Sequence, residues 1–263
     1  MVDPSSSPSG PSLKVERAGN LLILQINRPH VRNAIDGPTA EAINAAMDEI
    51  EADPDIFMGI ITGAGGCFSA GADLKAMAVG GTSGTSQPRG SFGICARPPE
   101  KPLIAAIEGV AVGGGMEIAL SCDLIVAARD ARLGLPEVKR NLLATGGGLL
   151  RLPRRIPYNL AVEVALSGEL YPAEFFHRHG LINRLSEPGN ALADAVALAT
   201  TLMENGPTAL AATVSIMRRA RNWTFEEGLV EQRVLGKRAL ESQDRQEGVR
   251  AFLDKRQPVW TGR

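Results

Sequence analysis

Apolar residues fall into two regimes along this chain: short dense runs in its first half and helical spacing in its second. LLILQIN at 21–27 is a compact apolar run bounded by Gly19-Asn20 and Arg28-Pro29, which predicts a strand. Asp36 stands where a helix cap is wanted. Ile43, Met47 and Ile50 then recur on one face, predicting a helix to about residue 51. FMGIITGAG at 57–65, PLIAAIEG at 102–109 and LIVAA at 124–128 read as further buried strands. GCFSAGADLKAM reads as a turn leading into a short helix, and another helix is predicted from about 113 to about 121. Beyond 128 the helical period dominates, in YNLAVEVAL, AEFFHRHG, ALADAVALATTLMEN and the stretch 207–253.

Strand-and-helix units followed by helices alone predict an α/β core with a helical extension. Asn205-Gly206-Pro207 is the best boundary, because one helix can stop there and another begin. The expected organisation is a disordered Ser/Pro/Gly-rich tail at 1–12, a core at 13–205 and a helical region at 206–263. VGGTSGTSQPRGS at 79–91 has no period and predicts a long mobile loop with a functional role rather than a packed one.

Composition narrows the class. With 263 residues, 44% of them hydrophobic, the chain can bury one sizeable core. A net charge of −1 and 4% aromatics argue against a nucleic-acid or anionic-membrane partner. Three cysteines, Cys67, Cys95 and Cys122, form no CxxC pair, so neither a disulfide framework nor a structural zinc site is expected. There is no signal-peptide pattern and no apolar run of membrane length, which predicts a soluble cytoplasmic protein.

The candidate chemistry lies in GVAVGGGMEIALSCD at 109–123. Glycines between a strand and a helix let the backbone approach a ligand, and the helix start leaves N–H groups free. SAGADL at 69–74 is a second such turn. Two turns of this kind can aim two amides at one oxygen, which is how an oxyanion hole is built. The same glycines also serve close helix packing, and they lack the GxGxxG spacing of a dinucleotide loop. Glu117 sits among apolar neighbours, where desolvation would raise its pKa toward the range useful for proton transfer. The competing reading is a solvated or paired helix acid. Glu137, in RLGLPEVKRNLL, is a second candidate, against an ordinary helix-start acid facing Lys139 or Arg140. His177 and His179 do not share one helical face, His30 sits in a proline turn, and Ser69 and Ser121 have no matched His/Asp set.

IEGVAVGGGMEIALSCDLIVAARDARLGLPEV, together with INRPHVRNAI, GCFSAGADL, EFFHRHGLINRL and EGVRAFLDKRQP, closely resembles the enoyl-CoA hydratase/isomerase (crotonase) family. The likeness runs from about Leu13 to Pro258. It implies a right-handed spiral of ββα units with a C-terminal helical trimerisation region, assembled as a homotrimer or a dimer of trimers. It also implies an acyl-CoA thioester as substrate, with no metal or redox cofactor, coenzyme A being part of the substrate. By motif position, the amides of Ala72 and Gly114 would form the oxyanion hole. Glu117 would activate water and Glu137 would protonate Cα, giving reversible hydration of a 2-enoyl-CoA. Ala72, Asp73, Leu74, Lys75 and Gly114 match the segments that line the substrate, and Arg28, Phe252 and Lys255 match positions near CoA in some relatives. The alternatives are an enoyl-CoA isomerase or acyl-CoA hydrolase on the same scaffold, or an acyl-CoA-binding subunit of low activity. NLLATGGGLLRLPRRI departs from the usual GGTQRL ending by placing Leu149-Leu150 at the polar pair.

Overall fold

The computed structural model describes residues 10–78, 85–86 and 88–263. Most of the expected tail, residues 1–9, and residues 79–84 and 87 of the expected loop lie outside the described residues.

Strands β1 (Leu13–Ala18) and β2 (Leu21–Ile26) form an antiparallel hairpin. Helix α1 (Gly37–Ala52) starts where Asp36 accepts the Thr39 amide at 3.0 Å. Its Ile43, Met47 and Ile50 are fully buried, each contributing roughly 1.5–3 kcal/mol of transfer free energy. Strand β3 (Met58–Gly63), helix α2 (Leu74–Ala78) and the small hairpin β4 (Thr85–Ser86) and β5 (Gly90–Ser91) follow. Next come β6 (Leu103–Ile107), β7 (Val110–Val112), α3 (Gly114–Ser121), β8 (Leu124–Ala128) and β9 (Arg132–Gly134). A 3-10 turn at Pro136–Arg140 leads to α4 (Gly148–Arg151), α5 (Tyr158–Ser167), β10 (Tyr171–Pro172), α6 (Ala173–Arg178) and β11 (Arg184–Ser186). Helices α7 (Ala191–Met203), α8 (Pro207–Ala220), α9 (Phe225–Leu240) and α10 (Gln243–Leu253) complete the chain.

The main sheet has the order β1-β2-β3-β6-β8-β11, parallel from β2 onward. Both of its faces are covered, which explains the apolar runs without polar alternation. Leu22, Leu24, Ile26, Leu103, Ala105 and Ile107 face the large core with α1 and α3. Leu21, Met58, Ile60, Ile104, Ala106 and Val126 face the opposite side, against Ala195, Leu198 and Ala199 of α7. This is the two-residue period of a strand used on both faces.

A second layer is stacked beside the main sheet. Ile35 bridges Ala72, Ser69 bridges Ala111, and β7 pairs with β9, all in parallel. Each pass through the main sheet is thus followed by a short rung in the second layer, and the chain winds as a spiral. Gly109, at φ 60°, makes one of the turns between layers.

Two expectations need correction. The region after 128 is not helical throughout: β9, β10 and β11 are strands, and β11 pairs with β8 at the sheet edge. Two or three residues are too few to show a period, so pairing rather than pattern makes these strands. The segment 79–91 is also not free of packing at its end, because the Arg89 side chain is fully buried and bonded to Asp48, Glu51 and the Arg97 carbonyl.

The C-terminal helices are tied to the core through α8. Arg218 donates to both carboxylate oxygens of Asp123, at 2.7 and 2.6 Å, and Asp123 in turn accepts the first amide of β6 at 2.9 Å. No helix among the described residues is long and apolar enough to cross a membrane.

Candidate active site

Three successive rungs of the second layer end in the candidate residues. The rung containing Ser69 runs into Gly71-Ala72, β7 runs into Gly113-Gly114 and α3, and β9 runs through Leu135-Pro136 into Glu137. The Gly113 amide donates to the Gly134 carbonyl at 2.9 Å, which joins the last two rungs directly. The spiral therefore sets the spacing of the site.

The two glycine turns meet. Gly71 adopts φ +88°, and a Cβ built on it would lie 2.8 Å from the Gly114 nitrogen and 2.7 Å from the Val112 carbonyl oxygen. Ser69 Oγ fixes this turn by donating to the Asn33 carbonyl at 2.8 Å and accepting the Gly71 amide at 3.1 Å. Among the described residues, the Ala72 amide has no acceptor. The Gly114 amide opens α3, where the geometry of a helix supplies no partner. Two undirected donors thus emerge from adjoining backbone.

The Gly113–Gly115 run has a separate reason at each position. Gly113 takes φ +56°, and a Cβ on it would lie 3.0 Å from Glu137 Oε1. A Cβ on Gly114 would overlap the Phe92 ring, and one on Gly115 would overlap the Ser69 carbonyl.

Glu117 lies in the first turn of α3 and is 2% exposed. Its Oε1 accepts the Gly148 amide at 2.9 Å, and a Cβ on Gly146 would lie 2.7 Å from Oε2. Burial pushes its pKa up; the Gly148 hydrogen bond opposes this, the charge of Glu137 adds to it, and Arg151 pulls the other way. The solvated-face reading of Glu117 is excluded by its burial.

Glu137 lies on the 3-10 turn, and burial raises its pKa as well. Its Oε2 is buried without a hydrogen-bond partner among the described residues. Lys139 does not face it but pairs with Glu169 at 2.5 Å. The two carboxyls are near enough for the charge of one to shift the other.

The remaining sequence candidates are placed as follows. Arg28 bonds Asp36 at 2.9 Å, Asp73 at 3.0 Å and the Ala34 carbonyl at 2.5 Å, so both of its terminal nitrogens are engaged. The Asp73 carboxylate also accepts the Ala76 amide at 3.1 Å, which opens α2. Leu74 and Lys75 are exposed beside it. Phe252 and Lys255 are exposed around the end of α10, and no hydrogen bond or ion pair joins them to 72–75 among the described residues. His177 and His179 turn their Nδ1 atoms to the carbonyls of Ile182 and Phe175, at 2.9 and 2.8 Å.

Sequence reasoning missed three participants. Gly148 holds Glu117 through its amide, Arg151 clamps the loop carrying Gly148, and Phe92 packs on Gly114 in the left-handed region at φ 59°. The second triple-glycine run at 146–148 was the available signal for the first of these.

A family model described as enoyl-CoA hydratase/isomerase matches residues 16–263. Enoyl-CoA hydratase EchA19 of Mycobacterium tuberculosis is 39% identical over 262 residues, covering 97% of this chain and 98% of its own. Mevalonyl-coenzyme A hydratase sidH of Aspergillus fumigatus is 37% identical over 249 residues, covering 92% of this chain and 91% of its own. A crystal structure of an enoyl-CoA hydratase from Mycobacterium tuberculosis H37Rv matches with a TM-score of 0.93 at 48% identity, covering 97% of this chain and 100% of that one.

Proposed function

The chain belongs to the enoyl-CoA hydratase/isomerase family, and from that premise we propose that its site adds water reversibly across the double bond of a 2-enoyl-CoA to give a 3-hydroxyacyl-CoA. One observation carries this reading: buried Glu117 and half-buried Glu137 flank the same glycine turn from which the two unengaged amides emerge.

The chemistry follows from the parts. Water attacks Cβ only if the negative charge arriving on the thioester oxygen is stabilised. The Ala72 and Gly114 amides supply that stabilisation without reorganising, and losing one such donor costs roughly 3–4 kcal/mol. Glu117, as carboxylate, orients the water and takes its proton as the C–O bond forms. Glu137, as carboxylic acid, delivers a proton to Cα as the enolate collapses. In dehydration the roles exchange. The reaction is redox-neutral, so amides and carboxyls are a sufficient catalytic set. Leu74 and Lys75, exposed beside Ala72, are placed to meet the CoA portion, whereas Asp73 holds the segment through Arg28.

Exposed apolar side chains on the C-terminal helices, including Phe225, Val230, Val234 and Phe252, support assembly into a trimer or a dimer of trimers. Light scattering coupled to gel filtration tests this.

The reaction itself is tested with a panel of 2-enoyl-CoA thioesters. Enone absorbance should fall, and mass spectrometry should show a gain of one water. Products shifted in double-bond position or hydrolysed to free acid would replace the reading with an isomerase or a hydrolase. Binding without turnover would leave an acyl-CoA-binding subunit.

A further inference from the structure

Two carboxyls close enough for the charge of Glu137 to act on Glu117 are not both ionised without cost, and their surroundings treat them unequally. Glu117 receives the Gly148 amide at 2.9 Å. Glu137 keeps a buried oxygen with no donor among the described residues. An ionised carboxylate needs donors, whereas a carboxylic acid tolerates their absence far better.

Arg151 sits behind this asymmetry. Its Nη1 donates to the Gly146 carbonyl at 3.1 Å and its Nη2 to the Cys95 carbonyl. It thereby pins the 146–148 loop, whose amide holds Glu117, to the segment preceding β6. Both of these partners are carbonyls, and among the described residues no ion pair engages Arg151. The titratable and charged groups that bear on Glu117 include Glu137 from the 3-10 turn, Arg151 from α4 and the Cys95 thiol, beside the backbone of Gly146 and Gly148. Burial drives that thiol up to about 12, which leaves it neutral. Arg151 is thus a cation that bears on Glu117, while Lys139, on the turn that carries Glu137, is turned away to Glu169.

We propose that Arg151 is the positioning residue that decides which glutamate is ionised: it fixes the loop that donates to Glu117 and its charge keeps Glu117 the carboxylate, leaving Glu137 the acid. The inference rests on the hydratase reading for its catalytic consequence but not for the proton placement itself. Two variants separate hydrogen bonding from charge. Arg151→Gln keeps a donor and removes the charge; Arg151→Lys keeps the charge and loses the fork.

In the pH profile of kcat/KM for crotonyl-CoA hydration, the acidic limb should move up by about one pH unit in Arg151→Gln. Part of the lost activity should return at higher pH. Arg151→Lys should lower kcat while leaving the limb in place. A uniform fall at every pH with an unmoved limb, or an equal shift in both variants, overturns the proposal. Infrared titration of the carboxylic-acid C=O bands reads the same protons without turnover. A band abolished by Glu117→Gln should titrate away at higher pH in Arg151→Gln than in the wild type. Equal titration overturns the proposal whether or not the protein hydrates crotonyl-CoA. The shifted band in a protein that does not hydrate enoyl-CoA would instead overturn the functional reading alone.

Discussion

Charge is buried in two places in this molecule, and the two are built on opposite terms. At the end of the 79–91 segment, Arg89 is fully buried with its donors used: Asp48 accepts at 2.6 Å, Glu51 at 2.5 Å and the Arg97 carbonyl at 2.8 Å. Around α3, Glu117 is buried and Glu137 half-buried with one oxygen lacking a donor among the described residues, and desolvation raises the proton affinity of each. A satisfied buried charge serves cohesion, while an under-satisfied one stores a preference for a change of protonation. The contrast separates the part of the chain that holds the fold from the part proposed to do chemistry.

The comparison breaks most sharply at the carboxyls. Glu117→Gln and Glu137→Gln should each lower kcat by about 100- to 10,000-fold, with circular dichroism unchanged. Unimpaired turnover in either variant would remove that residue from the mechanism. Gly114→Ala should come next. The added methyl meets the Phe92 ring, which is itself held at φ 59° and cannot easily yield. Displacing the first amide of α3 should cost on the order of 100-fold in kcat, with little change in KM for CoA thioesters. A variant of wild-type activity would place the oxyanion donors elsewhere.

On the cohesive side, Arg89→Met should leave turnover per folded molecule intact but destabilise the protein by about 2–3 kcal/mol in urea unfolding. That is less than a fully buried pair would lose, because Asp48 and Glu51 reach solvent, with 50% and 31% of their side chains exposed. The smallest effect has the opposite sign. The folded state binds the Glu117 proton more tightly than the unfolded chain does. Stability from this group is therefore fully present below the ordinary carboxylate pKa and is lost as pH rises through it toward the raised folded value. Glu117→Gln removes that loss. The variant should melt above the wild type at neutral pH, by a degree or a few, and the difference should vanish below about pH 4. A lower melting point at neutral pH would show that the Gly148 hydrogen bond outweighs desolvation.

What was legible in the sequence follows from the same distinction. LLILQIN, FMGIITGAG and LIVAA became strands because continuous apolar runs suit a sheet buried on both faces. Asp36 capped its helix because the cap is a local interaction. The strands β9, β10 and β11 were hidden because they exist through pairing with distant segments. In the candidate site, Glu117 and Glu137 were visible as acids in apolar settings and the amides as glycine turns. The Gly148 amide, Phe92 and Arg151 were not, since nothing local tells a loop glycine that it will close on a carboxyl 31 residues away. Arg28 matched a position near CoA in some relatives, and only the fold shows that Asp36 and Asp73 occupy it.

The Gly113–Gly134 hydrogen bond has a wider consequence. It fixes the offset between the proposed oxyanion amides and the proposed acid by inter-strand spacing, about 4.8 Å in any sheet, rather than by side-chain packing. Replacing the side chain at 117 or 137 therefore leaves the scaffold's polarising half where it stands. A lineage, or an engineer, can exchange one reaction for another here by rewriting two positions, without first solving the harder problem of where to put the carbonyl.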